Sequence, residues 1–395
     1  MTFGVVLSGG GARGAYEAGV LGFVFGSLLP EMDAEPCTVI TGTSVGAFNG
    51  AFLASALEGP REKMALFMES WSTITLDDMF SFGPREASRL LGVIRGGPGE
   101  RGIFSGETFA RLVARNIEWP AVRKAIDGRR LDALCITTTR VATGESVIFV
   151  DGADRARPPW PMKPGVEVRA TRIEAAHVQA SAAMPVLFPP VRIGAELHAD
   201  GGLRLNTPIA PAVHLGADRL LIVASSSAPP KRESEATIEG TPSLAFLVGK
   251  ALDAIHFDHL SNDLDNLSRI NGLLADGRRA FGESFVARLA QVATARGLPP
   301  HQVIDTVVVR PSRDLGCLAH DYLRDHSSRL GGLFGRAIFR AIDVGDAPDA
   351  DLASYLLFDA GFTRMLVELG YRDAQVEASR IRAMVAVARP CAMSG

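Results

Sequence analysis

The chain has 395 residues, of which 47% are hydrophobic and 22% charged, enough apolar material for a large core and too ordinary a balance for a disordered or low-complexity chain. Forty-one basic against 44 acidic side chains leave a formal net charge of −3, which removes the broad basic footprint of a nucleic-acid binder. Cys37, Cys135, Cys317 and Cys391 stand far apart with no C-x-x-C pair, so neither a zinc knuckle nor a disulfide framework is expected.

No apolar run approaches the roughly 18 residues of a membrane span. The chain opens directly on a strand-like run, Phe3 to Ser8, with no basic segment or small-residue cleavage site before it. Reduced thiols and no visible leader give the expectation of a cytoplasmic protein.

Taken in order, the apolar run Val5–Ser8 predicts a strand. Gly14–Leu29 predicts a helix stopped by Pro30. Cys37–Thr41 is a second apolar, β-branched run, and Ala47–Leu57 is a strong helix former ending near Gly59-Pro60. Strands alternating with helices predict a parallel sheet covered on both faces. The stretch 81–105 is punctuated by glycines and prolines around an apolar cluster at 90–94 and reads as a flap or as a plain surface connection.

Ala133–Thr139 and Ser146–Val150, joined through Thr143-Gly144, predict a hairpin. A loop with Pro158, Pro159, Pro161 and Pro164 follows, then a helix over Arg172–Ala183 stopped by Pro185. Val191–Ile193 and Glu196–His198 flank Gly194-Ala195 as a second small hairpin. Arg219–Ala224 predicts a buried strand, and the polar, proline-bearing stretch 226–241 a boundary or exposed loop. Beyond 242 the pattern is mainly helical, except that Val303–Val309 predicts a strand returning to the sheet. The expected organisation is a catalytic domain over 1–230 and a mainly helical region over 231–395 packed on the same core.

Four short segments carry the chemistry. Gly42-Thr43-Ser44-Val45-Gly46 is a G-x-S-x-G between a strand and a helix, the pattern of a nucleophile elbow. Small residues permit the sharp turn, and Ser44 then stands at a helix N-terminus, where the dipole favours negative charge. An ordinary turn with Ser44 as the helix cap is the other reading.

Gly9-Gly10-Gly11-Ala12-Arg13-Gly14 fits a dinucleotide fingerprint on its glycines alone. That fingerprint needs an acid at the end of the second strand, whereas Glu31, Asp33 and Glu35 all precede that strand. The other use of the segment is an oxyanion hole built from backbone amides, each donor of which is worth about 2.7–4 kcal/mol in a transition state. Arg13 reads either as positive charge for an anionic head group or as a surface residue of the first helical turn.

Ser44 needs a base, and none of the eight histidines sits in a convincing loop after a strand; His198 is the nearest in sequence to the remaining motif. Asp200-Gly201-Gly202 follows a strand and offers a carboxylate, although Asp-Gly is also a common turn dipeptide. An aspartate with an ordinary pKa of about 3.9 is a weak general base. Ala180-Ser181-Ala182-Ala183-Met184-Pro185 is the fourth segment. Met79-Phe80-Ser81-Phe82 and the 90–94 cluster are candidates for contact with a lipid interface, while Phe246-Leu247-Val248 reads as core. Asp253, Asp258, Asp263 and Asp265 around His256 and His259 read as a solvated helix face rather than a metal site.

In this order the four segments, with Asn206-x-Pro208 after them, resemble the patatin-like phospholipase family over roughly residues 3–225. The resemblance implies an α/β, three-layer fold, a mostly parallel central sheet with helices on both faces, plus a helical C-terminal elaboration. It implies a Ser44–Asp200 dyad without a catalytic histidine. It implies an oxyanion hole on Gly10 and Gly11 with Ala12 or Arg13, and support beside the site from Ser181, Pro185, Gly201 and Gly202. The implied activity is hydrolysis of acyl esters of phospholipids, lysophospholipids or neutral lipids, without metal or cofactor. The implied partner is a lipid ester at a membrane or micelle surface, met peripherally; oligomeric state is unreadable. Two rivals stand beside this reading: a Ser-His-Asp esterase of the α/β-hydrolase type, disfavoured because Ser44 follows only the second strand, and a non-catalytic lipid-binding protein on the same fold.

Overall fold

The computed structural model describes residues 2–32, 37–80, 102–152, 164–227, 244–298, 300–326 and 351–386. The 81–101 part of the flap reading, the 90–94 cluster, Pro158, Pro159, Pro161, the stretch 228–241 and Cys391 lie outside these residues. So do the side chains at 246–248, Asp253, His256, Asp258 and His259.

Among the described residues nine strands form one sheet: β1 Phe3–Leu7, β2 Val39–Thr43, β3 Ala133–Arg140, β4 Ser146–Gly152, β5 Val166–Ala170, β6 Val191–Ile193, β7 Glu196–Asp200, β8 Arg219–Val223 and β9 Asp305–Val309. The order is β5-β4-β3-β2-β1-β8-β9, with β7 on β3 and β6 on β7. From β3 across to β9 every neighbouring pair is parallel, whereas β4 and β7 run antiparallel to β3. Both hairpins read from the sequence, β3–β4 and β6–β7, are present.

The central strands are apolar at consecutive positions because both faces are covered. Val5 and Leu7 point into one core and Val6 into the other, the two-residue period of a strand. The helices that matter below are α1 Gly14–Phe23, α2 Val45–Ala56, α3 Ala175–Ser181, α4 Ile209–His214, α5 Leu244–Phe281, α6 Asp351–Leu356 and α7 Ala360–Val376. Residues of α1, α2 and α7 share the core of the first face, and residues of α4 with Leu260 of α5 share that of the second. No helix among the described residues is long and apolar enough to cross a membrane.

Several boundaries move for local reasons. The first helix does not stop at Pro30: after α1 it passes through a π turn, Val24–Leu28, into Leu29–Glu31. Pro30 stands in the first turn of that last segment, where a missing N–H is tolerated. The second strand begins and ends two residues later than read, because Gly42 and Thr43 stay extended up to the turn at Ser44. The predicted helix 172–183 shrinks to α3: the Ile173 N–H is drawn to Asp151 Oδ2 at 3.0 Å, and Glu174 is extended as the N-cap.

Described residues after 300 join this core. β9 pairs with β8, and α7 lies across α1. The helix crossing is close enough that a Cβ on Gly370 would strike the Tyr16 carbonyl. The Tyr16 hydroxyl reaches Asp373 Oδ2 at 3.1 Å, and the same oxygen accepts from the Ser312 N–H at 2.9 Å. Overpacking such a contact costs about 1–3 kcal/mol or more. Gly370→Leu is therefore expected to lower the thermal midpoint by several degrees, whereas Glu368→Ala, on the exposed side of α7, leaves it unchanged.

Candidate active site

Ser44 stands where β2 ends and α2 begins. Its backbone has φ 55° and ψ −123°, a conformation rare outside glycine and worth about 1–3 kcal/mol of strain. The neighbouring glycines are dictated by space. A Cβ on Gly42 would run into the Gly46 carbonyl, and one on Gly46 into the Leu7 carbonyl. The turn is also tied from outside. The Ser44 N–H donates to Ser181 Oγ at 2.8 Å, and that hydroxyl donates to the Thr137 carbonyl at 2.6 Å. Thr43 beside it donates to the Leu205 carbonyl at 2.8 Å. Val45 opens α2 and lines the cleft above.

Asp200 reaches Ser44 through the sheet. β2 stops at Thr43 opposite Thr137, while β3 continues to Arg140, and β7 pairs with that extension at Thr138↔Asp200. The last residue of β7 thus comes down beside the first residue after β2. Ser44 Oγ donates to Asp200 Oδ2 at 2.7 Å, and the Gly202 N–H donates to Oδ1 at 2.7 Å. The Asp200 backbone is fixed on both sides, its N–H on the Ala183 carbonyl at 2.9 Å and its carbonyl accepting from Thr139 Oγ1 at 2.8 Å. A Cβ on Gly201 would strike the Thr137 carbonyl, so the strand end packs directly on β3. Burial pushes the Asp200 carboxyl up to about 6, against the pull of the Ser44 and Gly202 hydrogen bonds.

His198 is buried on β7 with Nδ1 3.0 Å from Thr138 Oγ1, and burial lowers its pKa. Among the described residues no histidine bonds to Ser44 or Asp200.

The glycine-rich segment passes beside Ser44; a Cβ on Gly9 would lie 3.2 Å from the Ser44 Cβ. The six residues separate by what their amides do. The Gly9 N–H donates to the Asn206 carbonyl at 3.1 Å and the Arg13 N–H to the Gly10 carbonyl at 3.1 Å. The Gly14 N–H closes the 3₁₀ turn Gly11–Arg13. Gly10, Gly11 and Ala12 are left with amides that have no acceptor among the described residues, at the N-terminal end of that turn. The loop is anchored at Gly9, whose carbonyl accepts from Ser225 Oγ at 2.7 Å and Asn206 Nδ2 at 3.3 Å.

Arg13 corrects the sequence reading. It is neither a surface residue nor aimed at a head group: it is 2% exposed and bonded to Asp351 Oδ1 at 3.2 Å. A buried guanidinium seeks a carboxylate, and this one lies 338 positions later in the chain.

Above the pair lies a narrow cleft, part of it open to solvent. Ser44, Asp200 and Gly11 form its polar floor, and Phe48, Trp71, Phe80, Phe109 and Phe188 are among its apolar walls. Met79 and Phe80, read as candidates for an interface, line this cleft. Met184 and Leu187, on either side of Pro185, also line it, and Pro185 itself is exposed. Tyr355 and Phe358 close the cleft from the C-terminal region, and no motif announced them. Among the described residues no three His, Cys, Asp or Glu side chains converge as metal ligands.

The site therefore presents a hydroxyl on a buried carboxylate at a helix N-terminus, three unengaged amides alongside and an apolar chamber above. A family model described as patatin-like phospholipase matches residues 5–213, more than half of the chain. Comparison with curated proteins gives no match. Among solved structures, VipD from Legionella pneumophila is 14% identical with a TM-score of 0.34; the alignment covers 96% of this chain and 67% of that one. Human GIVD cytosolic phospholipase A2 is 15% identical with a TM-score of 0.43, over 98% of this chain and 60% of that one. On the match over residues 5–213, the chain belongs to the patatin-like phospholipase family.

Proposed function

We propose that the protein is a serine acyl hydrolase of lipid esters, phospholipid or lysophospholipid among them, working through Ser44 and Asp200. The observation that carries the reading is the 2.7 Å hydrogen bond from Ser44 Oγ to a buried carboxylate at the floor of an apolar cleft. Asp200 takes the Ser44 proton as Oγ attacks the ester carbonyl carbon. The carbonyl oxygen becomes an oxyanion facing the amides of Gly10, Gly11 and Ala12. The bond to the alcohol or lysolipid breaks, and Asp200 returns the proton to that leaving oxygen. Asp200 next takes a proton from water, which attacks the acyl-serine; the fatty acid leaves and Ser44 regains its proton.

Burial supports Asp200 in this role. A pKa of about 6 makes it a far better base at neutral pH than an ordinary aspartate. The aromatic walls suit an acyl chain and leave the polar end of the lipid toward solvent, consistent with a substrate presented at a membrane or micelle surface.

A fluorophosphonate probe is expected to leave one adduct on the wild type by intact mass and none on Ser44→Ala. No adduct on a folded wild type would favour a lipid-binding protein over an enzyme. Asp200→Asn is expected to lower kcat by about 10²–10⁴-fold; turnover near wild type would give the base role to another group.

The pH dependence has a definite sign. The base works deprotonated, so kcat/KM should rise with pH through an inflection near 6 and then level off. Stability runs the other way, because the folded state holds this proton more tightly than the unfolded chain. The penalty, about 3 kcal/mol, is present above the raised pKa and disappears as pH falls toward 3.8. Asp200→Asn should therefore melt higher than wild type near pH 8, with the gap closing toward pH 4; an equal gap at both would rule this account out.

A further inference from the structure

Arg13 is the only residue of the glycine-rich segment with a long side chain, and that side chain leaves the cleft for α6. Its Nε donates to Ser354 Oγ at 2.8 Å, its Nη2 to Asp351 Oδ1 at 3.2 Å and its Nη1 to the Tyr355 hydroxyl at 3.2 Å. The guanidinium carbon lies 4.0 Å from the centre of the Tyr355 ring. Nη1 also points to the Ser225 carbonyl at 3.4 Å, and Ser225 is the residue that anchors Gly9. Ser354 is held in turn, donating to the Asp351 carbonyl at 2.6 Å.

The backbone repeats the contact. Gly11 has φ 55°, and a Cβ there would collide with the Tyr355 carbonyl. Oxyanion loop and α6 therefore touch at two successive points, one through main chain and one through a buried ion pair.

The physical need is plain. Consecutive glycines have the largest backbone freedom of any residues, whereas an oxyanion hole works only when its donors are fixed before charge develops. A guanidinium fork bonded on several edges is a rigid fastening, and pulling it loose leaves buried charges unpaired. α6 lies outside residues 5–213, so this fastening comes from a part of the chain that the family match does not reach.

The geometry points to Asp351, with Ser354 and Tyr355, as positioning residues that hold the amides of Gly10, Gly11 and Ala12 in place beside Ser44 through the Arg13 side chain. This rests on the hydrolase reading above. Asp351 touches no substrate; it acts through Arg13 on groups whose bonds strengthen only in the transition state. Its loss therefore falls on kcat and leaves KM nearly unchanged.

The test uses the full chain as wild type, Asp351→Asn and, as a milder change that keeps the ion pair, Ser354→Ala. Ser44 is titrated to completion with a fluorophosphonate, and p-nitrophenyl butyrate turnover is expressed per labelled site. Backbone hydrogen exchange is followed at residues 9–14. Asp351→Asn should label at one site per chain, lose about 10- to 100-fold in kcat per site with KM within twofold, and exchange faster at Gly9, Arg13 and Gly14, the loop amides that hold hydrogen bonds. Ser354→Ala should shift in the same direction by about two- to fivefold. A merely structural contact would reduce the number of labelled sites and leave kcat per site unchanged, which overturns the proposal. Unchanged turnover and unchanged exchange in Ser354→Ala would overturn it as well, even if Asp351→Asn does not fold. A wild type that neither labels at Ser44 nor turns over the ester sinks the hydrolase reading itself, a result distinct from either of these.

Discussion

β3 runs three residues past the point where β2 ends, and β7 pairs with that overhang. The site depends on this difference in strand length. A strand ending level with β2 would leave β7 nowhere to dock, and Asp200 would have no route to the turn that carries Ser44. The antiparallel entry of β7 matters equally. It delivers the strand's last residue, with the freedom of Gly201 and Gly202 just beyond, at the edge of the sheet where the parallel strands release their C-terminal ends.

Both central groups are held in unfavourable states. Ser44 keeps a backbone conformation that a β-carbon resists, and Asp200 keeps a carboxylate out of water. The restraints on each are correspondingly dense: Ser181 and Thr43 at the elbow, Gly202, Ala183 and Thr139 at the acid. Several of these are threonines and serines of β3, β2 and α3 whose hydroxyls satisfy main-chain groups at the strand ends. They act as scaffolding for the strained turn. Strain and desolvation of this size persist only where the surrounding structure over-determines the geometry.

Much of the arrangement was legible in the sequence. Apolar runs alternating with helical stretches located the parallel strands, and Val303–Val309 announced the return of β9. G-x-S-x-G and D-G-G located the two ends of the central hydrogen bond because each needs glycine for close backbone approach, a requirement visible in single residues. Boundaries were legible less well: Pro30 reads as a stop only if the helix keeps its α register, and the π turn changes that register. Arg13 was misread because a first-turn arginine on a Gly-rich loop looks exposed, and its partner lies 338 residues away. Ion pairs at such separation leave no periodicity, and neither do the walls of the cleft. Phe48, Phe109 and Phe358 look like ordinary core residues until the fold brings them to one chamber.

That asymmetry bears on how the site is divided between the two halves of the chain. Ser44 and Asp200 sit in short motifs at the ends of strands, where the spacing between glycine and polar side chain is dictated by backbone geometry. The chamber answers to no such spacing, so any apolar side chain of suitable size serves at each of its wall positions. Tyr355 and Phe358 belong to the part of the chain beyond the family match; both line the cleft, and Tyr355 also meets the loop of amides through Arg13. On the hydrolase reading proposed above, a change at Tyr355 touches both the wall of the cleft and the loop that carries the amides. On that reading the cleft wall and the amide loop are joined through one short helix, Asp351–Leu356, which carries Tyr355 and the Arg13 partners Asp351 and Ser354.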